Sequence, residues 1–450
     1  MSSWLFRENT ELNSRILSIL PRFKNSRLKI CLKKAPPRWL AGFIRRTIKP
    51  RTLKSGARIR LLVLDHTRFR DDLEALDQLT QIEFLIVHNW VQRWITALND
   101  DPQTRHSNQA IDLRVGFLSK LLRSLCHATE AHGFISCGFY YEQNLEWELA
   151  CSKADIPFFC LHREMVGAES RPMNRIWAKE VPTWRRFHGH LLMVATASAK
   201  AMLVEHNYLP ANQITVTGAP RFDLVHYASK PIKVAKEELG TRTLLFFSFP
   251  ISTAQPDLRK QMGTFPASGG FRKLFNGVHR IVAQFAIDHP YIPVIIRPKW
   301  YASFWKKAID DAIAPIIPDP ENLPANLKIV DNVGAQHLVS QAGAVISLNS
   351  TTGIEALIHS VPSILPHFEE ANEELRDHLL ISANTEPFFV ARSPSELIKF
   401  LDDFASGELI PKTIPSGFLE EVIGPAAGNT SICIEKLITK KINELGQTTL

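Results

Sequence analysis

From residue 58 onward the chain alternates short apolar runs with longer amphipathic stretches, a rhythm that parallel strands joined by crossover helices produce. RIRLLVLD (58–65), IEFLIVH (82–88), GFISCG (133–138), IPFFCLH (156–162), LLMVAT (191–196) and QITVTG (213–218) read as strands of a first sheet. Residues 219–242, with two prolines and a charged stretch, break the rhythm and read as a linker. It then restarts with TLLFFSF (243–249), IPVIIRP (292–298), LKIVD (327–331), AVISLN (344–349), PSILP (362–366) and PFFVA (387–391). The expected fold is α/β, with two doubly wound domains facing each other across a cleft. Its parts are a basic segment (1–57), an N-terminal domain (58–218), the linker (219–242), a C-terminal domain (243–410) and closing helices (411–450) that include TSICIEKLITKKINEL.

A chain of 450 residues, 45% hydrophobic and 22% charged, can bury two cores of ordinary size. Its six cysteines form no Cys-x-x-Cys pair and no partnered histidine spacing, so neither a zinc site nor a disulfide framework is expected, and a reducing cytoplasm is the simplest setting. The opening residues lack the apolar core of a signal peptide, and no apolar run reaches the roughly 18 residues of a spanning helix. Charge is unevenly spread. Residues 1–60 carry 16 Lys plus Arg against two Glu, a balance of +14, so with +8 for the whole chain the other 390 residues sum to −6. Within that segment cations interleave with Trp39, Leu40, Phe43 and Ile44, which suits an anionic membrane face contacted through residues 22–60. A solvated arm packed on its own protein and a nucleic-acid contact are the alternatives, and no aromatic-rich RNA motif or Cys-His finger supports the last.

Ligands of open α/β sheets bind beyond the carboxyl ends of the strands, so the loops there are where chemistry is expected. Asn349-Ser350-Thr351-Thr352-Gly353 joins a buried strand to a helix. Unpaired N–H groups, hydroxyl donors and a glycine that admits a close ligand suit a phosphate, and Glu355 could accept from a ribose; simple helix capping by Ser350 or Thr351 is the alternative. Arg297 and Lys299 follow a strand of the same sheet, as a diphosphate-neutralising pair or as an exposed basic loop. Gly218-Ala219-Pro220 ends the first half, followed by Arg221 and Asp223, which either pair to make a hinge or place Arg221 near the cleft. His162, Arg163 and Glu164 leave the first domain on the opposite side, where Glu164 or His162 could take a proton from a hydroxyl, Glu164 being preferred. Other histidines, His132, His188 and His190 among them, read as loop or packing residues.

In order, NLEWELACSKADIPFFCLHRE, VTGAPRFD, VIIRPK and ISLNSTTGIEAL resemble bacterial surface-polysaccharide glycosyltransferases, the group of capsule-type, Kdo-type and teichoic-acid enzymes, over roughly residues 130–370. The resemblance implies two Rossmann-like domains in the GT-B arrangement, with a nucleotide-activated donor on the C-terminal domain and the acceptor on the other. By position it assigns Ser350, Thr351 and Thr352 to the donor phosphate turn, Glu355 to the following helix, and Arg297 and Lys299 to the basic post-strand segment. One departure stands out: the single His-Pro, His289-Pro290, precedes its strand instead of following it, so a cytidine-monophosphate sugar is not secured. The implied reaction moves a sugar or polyol phosphate to a glycan or lipid-linked acceptor of the cell envelope, with no metal and no cofactor beyond the nucleotide sugar. Lipid-linked acceptors would give the basic segment a purpose at the inner face of the plasma membrane. A nucleotide-sugar 2-epimerase shares the fold and a similar hydroxyl-glycine turn and is the rival enzyme. A non-catalytic membrane or nucleic-acid binding protein is the rival outside catalysis.

Overall fold

The computed structural model describes residues 36–56, 58–98, 108–139, 142–163, 186–228, 243–255, 258, 268–298, 303–330, 334–372, 374–382, 384–425 and 428–447. A first sheet has seven strands in the order β1-β3-β2-β4-β5-β6-β7. They are β1 (Lys49–Pro50), β2 (Arg60–Val63), β3 (Glu83–Ile86), β4 (Gly133–Ser136), β5 (Phe158–His162), β6 (Leu191–Val194) and β7 (Ile214–Val216). All pairings are parallel except the antiparallel edge between β1 and β3. Around them run α1 (Pro37–Arg45), α2 (Arg70–Leu79), α3 (Asn89–Leu98), α4 (Asn108–Thr129), α5 (Glu142–Lys153), α6 (Ala197–Glu205) and α7 (Arg221–Ala228).

The second sheet is wholly parallel, in the order β10-β9-β8-β11-β12-β13. Its strands are β8 (Leu244–Phe247), β9 (Val294–Arg297), β10 (Leu327–Ile329), β11 (Ala344–Ser347), β12 (Ser363–Pro366) and β13 (Phe389–Ala391). Helices α8 (Arg272–Asp288), α9 (Ser303–Ile313), α10 (Ala335–Val339), α11 (Thr352–Ile358) and α12 (Pro394–Ser406) accompany it, followed by α13 (Phe418–Ile423) and α14 (Thr430–Gln447).

The apolar runs fold this way because both faces of each sheet are buried. Leu62 and Leu64 enter one core while Leu61 and Val63 enter the other, as the two-residue period of a strand demands. In the second sheet Leu244 and Phe246 part from Leu245 and Phe247 in the same manner. Strand order reverses between β2 and β4 in one sheet and between β8 and β11 in the other, which opens a crevice at the carboxyl edge of each.

A separate apolar cluster joins the halves. Ala195, Ala219 and Phe222 of the first meet Ile354, Leu357, Leu365 and Phe388 of the second, with Phe418, Val422 and Ile423 of α13 between them. The chain then returns to the first sheet, where Ile434 and Ile438 of α14 pack beside Leu61, Val63 and Met193. Asp223 anchors that return. Its two carboxylate oxygens accept from the N–H groups of Thr430 (3.1 Å) and Ser431 (2.6 Å), closing the positive end of α14 with a negative charge. Of the stretch 219–242, residues 221–228 are therefore helical, with Phe222 and Val225 buried, and 229–242 lie outside the described residues.

Asp223→Ala leaves those N–H groups buried without acceptors and should lower stability by about 2–3 kcal/mol. Urea denaturation followed by circular dichroism measures it, and an unchanged midpoint would mean α14 is held by its apolar face alone.

Candidate functional site

The turn after β11 is shaped by its own side chains. Asn349 adopts a left-handed conformation (φ 49°), and its amide is occupied within the protein: Nδ2 donates to the His378 carbonyl (2.9 Å) and Oδ1 accepts from the Leu380 N–H (2.6 Å). Ser350 Oγ accepts from the Thr352 hydroxyl (2.8 Å) and, at 3.3 Å, from the Thr352 N–H. Thr351 donates its hydroxyl to Glu355 Oε1 (3.3 Å). Ser350 and Thr351 are half-buried, so both hydroxyls remain within reach of a ligand, whereas Thr352 is buried.

Gly353 has a packing reason for being glycine. A Cβ there would stand 2.7 Å from Ser347 Oγ and 3.2 Å from Ser363 Oγ, because α11 starts pressed onto β11 and β12. The close approach expected of a ligand at this glycine is made by the sheet.

Glu355, one turn into α11, is buried, and its Oε2 has no hydrogen-bond partner. Burial pushes its carboxyl up from 4.5 to about 7, against the pull of Arg221 and the Thr351 hydroxyl and reinforced by Asp71 and Asp72. The charged neighbours belong to the other domain. Asp71 and Asp72 lie in the first turn of α2 and Arg221 opens α7, so three post-strand helices converge on one carboxyl.

Arg221 is 3% exposed and locked. Its Nη1 meets Asp72 Oδ2 at 2.8 Å, its own N–H donates to Asp72 Oδ1 at 3.2 Å, and its carbonyl accepts from Gln336 Nε2 of α10 at 3.1 Å. The hinge pairing expected with Asp223 is replaced by this bond to Asp72, since Asp223 faces α14. Arg297 ends β9, its guanidinium 5.9 Å from the Phe247 ring centroid and its Nη1 3.3 Å from the Pro298 carbonyl. It stands two strands from Ser347 along the carboxyl edge, about 10 Å at ordinary strand spacing.

His162 ends β5 in the first sheet and is 1% exposed, its ring tilted against Phe139 at 5.3 Å. Glu164 and Lys299 lie outside the described residues. The structure thus brings together Arg221, Ser350, Thr351, Thr352 and Glu355, sets Arg297 along the same edge, and keeps His162 in the other sheet.

Three features escaped the sequence reading. Asp72 looks like any acid on an amphipathic helix, yet it is the counter-charge of Arg221. His66 and His88 follow β2 and β3 with ring centroids 5.7 Å apart. Burial lowers both, taking His66 to about 4 with help from His88 and Arg51, so the His66 imidazole is neutral at pH 7. Their place after two apolar runs was the available signal. Glu370 accepts from the N–H groups of Lys273 (2.8 Å) and Leu274 (2.9 Å), which fills the start of α8 from within. Among the described residues no group of three His, Cys, Asp or Glu side chains is placed to hold a metal ion.

No protein-family model matches the sequence, and no curated protein matches it either. Solved structures do. A protein of Listeria monocytogenes assigned as a UDP-N-acetylglucosamine 2-epimerase is 14% identical with TM-score 0.51, the match covering 86% of this chain and 98% of that one. The UDP-N-acetylglucosamine 2-epimerase of Rickettsia bellii is 11% identical with TM-score 0.50, covering 87% and 98%. A glycosyltransferase from Rickettsia africae ESF-5 is more distant at TM-score 0.44, 12% identical, covering 86% and 99%. At these identities the likeness defines the fold: two Rossmann-like domains facing a cleft, the GT-B arrangement.

Between about pH 4.5 and 7 the folded chain holds a proton on Glu355 that the unfolded chain has released. Stability from this carboxyl is therefore complete below pH 4.5 and lost as pH rises through 7. Glu355→Gln, which cannot ionise, should gain on the wild type by roughly 3 kcal/mol between pH 4.5 and about 8, in denaturant titrations at both ends. Parallel pH curves for the two proteins would show that Glu355 ionises normally.

Proposed function

We propose that the protein is an enzyme acting on a nucleotide-activated sugar, which it seats at the carboxyl edge of the second sheet between β8 and β11. The observation carrying this reading is Glu355: a buried carboxyl with one oxygen lacking a partner, beside two half-buried hydroxyls, at the point where strand order reverses. A ribose hydroxyl donating to Oε2 would satisfy it. Ser350 and Thr351 would then face the phosphates, with Arg297 and Lys299 supplying positive charge along the edge, a purely electrostatic hold on the leaving or retained diphosphate.

Two reactions fit such a site. Epimerisation at the sugar is favoured by the solved relatives of this fold at TM-scores of 0.50 and 0.51, both assigned to UDP-N-acetylglucosamine 2-epimerases. Transfer to a glycan or lipid-linked acceptor, with Glu164 as base in preference to the buried His162, is favoured by the basic segment preceding the first domain, which an epimerase of free nucleotide sugars does not need.

Incubation with UDP-N-acetylglucosamine and no acceptor separates them. An epimer formed with the nucleotide retained assigns the first reaction; nucleotide release that requires an added acceptor assigns the second. If no uridine or cytidine nucleotide or nucleotide sugar raises the melting temperature, the nucleotide-sugar reading fails. Ser350→Ala and Arg297→Ala should each weaken nucleotide binding about tenfold, near 1.4 kcal/mol, in calorimetric titration with melting temperatures unchanged.

A further inference from the structure

The crevice at the carboxyl edge of the second sheet has two walls: the turn after β11, which begins at Asn349, and the loop after β8, residues 248–255. A third segment bridges them. It is the short 3-10 turn Arg376–His378, continued by Leu379 and Leu380. Its backbone holds one wall, since the His378 carbonyl accepts from Asn349 Nδ2 (2.9 Å) and the Leu380 N–H donates to Asn349 Oδ1 (2.6 Å). Its side chain holds the other, His378 Nδ1 lying 2.8 Å from the Ala254 carbonyl. That oxygen can only accept, so Nδ1 carries the hydrogen and donates it.

Both ends of the bridge have an unusual backbone. Asn349 is left-handed, which asparagine tolerates, but Ala254 is left-handed too (φ 54°), where a Cβ is crowded and glycine would fit without strain. The loop around Ala254 is also tightly tied. Thr253 and Gln255 donate their N–H groups to the carbonyls of Pro250 (2.9 Å) and Ser252 (3.1 Å), and the Phe271 N–H before α8 donates to the Ile251 carbonyl (2.9 Å). Ala254 and Leu380 pack against the core of the first domain, so the bridge rests on that domain as well. A strained residue persists where its surroundings over-determine it, and here they do so across a ligand crevice.

We infer that His378 is a positioning residue for the nucleotide seat: through the Asn349 amide it holds the turn that carries Ser350 and Thr351, and through Ala254 it fixes how far that turn stands from the loop after β8. This rests on the reading of the crevice as a nucleotide-sugar site and adds the residue that sets its width. His378 acts through Asn349 and Ala254, without contact to the ligand. A bridge that merely closed a loop would cost stability when cut and leave ligand affinity alone.

Calorimetric titration of the full-length protein with UDP and with CDP tests this, beside melting temperatures taken without nucleotide. His378→Leu removes the donor and should weaken the nucleotide that the wild type binds by about tenfold. His378→Asn, whose amide can place an N–H near the position of Nδ1, should restore affinity to within about threefold of the wild type. Asn349→Gly keeps the left-handed backbone and deletes the amide; it should cost about tenfold, and the double variant Asn349→Gly/His378→Leu no more than either alone, because both cut one path. Losses that multiply to about a hundredfold would mean two independent effects and overturn the inference. So would unchanged affinity in His378→Leu, with or without a lower melting temperature, or an asparagine variant as weak as the leucine one. If His378→Leu does not fold, Asn349→Gly decides alone, and unchanged affinity there overturns the inference. A wild type that binds neither nucleotide sinks the cleft reading and this inference together, whereas wild-type binding with indifferent variants sinks the inference only.

Discussion

The buried pair between Arg221 and Asp72 is the constraint on which the cleft depends. A guanidinium 3% exposed and a carboxylate 1% exposed are tolerable only together, since either alone would leave an uncompensated charge in a medium of low dielectric. Their bond fixes the start of α7 against α2, and the Gln336 bond to the Arg221 carbonyl carries that fixed point to the second domain. The same arrangement decides the state of Glu355. Arg221 would favour its ionised form, but Asp72 already claims the guanidinium and, with Asp71, repels a second negative charge. Burial then prevails, and the carboxyl titrates near neutrality.

Internal carboxylates occupy two other helix starts at this level of the fold. Glu370 fills the beginning of α8 and Asp223 that of α14, each with two N–H donors. The turn before α11 is built differently: its nearest polar groups are the hydroxyls of Ser350 and Thr351, and its only acid, Glu355, lies a turn inside and is raised to about 7 by burial. Carboxylates have thus been spent where the fold needs a closed helix end, and neutral donors stand where the strand order reverses.

All twelve strands expected from the apolar runs are present, trimmed by one or two residues at their ends, because strands buried on both faces are apolar without interruption. The strand the sequence hid, β1, is two residues long and contains Pro50, too short to show a pattern. The candidate site was legible in the placement of its residues and much less in their contacts. Ser350 and Glu355 stand out in the sequence because hydroxyls and an acid sit where a strand meets a helix, and the structure puts them there. Asn349 and Gly353 sit in that same motif, yet one ties the 378–380 loop and the other clears Ser347 and Ser363, functions that depend on chain segments distant in sequence. Asp72 is 149 residues from Arg221, and nothing local marks either as the other's partner.

Part of the charge excess of the first 60 residues resolves in the same way where the residues are described. Had all the cations served the fold, each would be matched by an acid of the remaining chain, whose net charge of −6 could supply several. Arg51, Lys54 and Arg60 are so matched, at the edge where β1 and β2 meet α2 and β3. Arg38, Arg45 and Arg46 make no ion pair among the described residues. Folding selects strongly against an unpaired buried charge and weakly against an exposed one, so the fold accounts for the first group and is indifferent to the second.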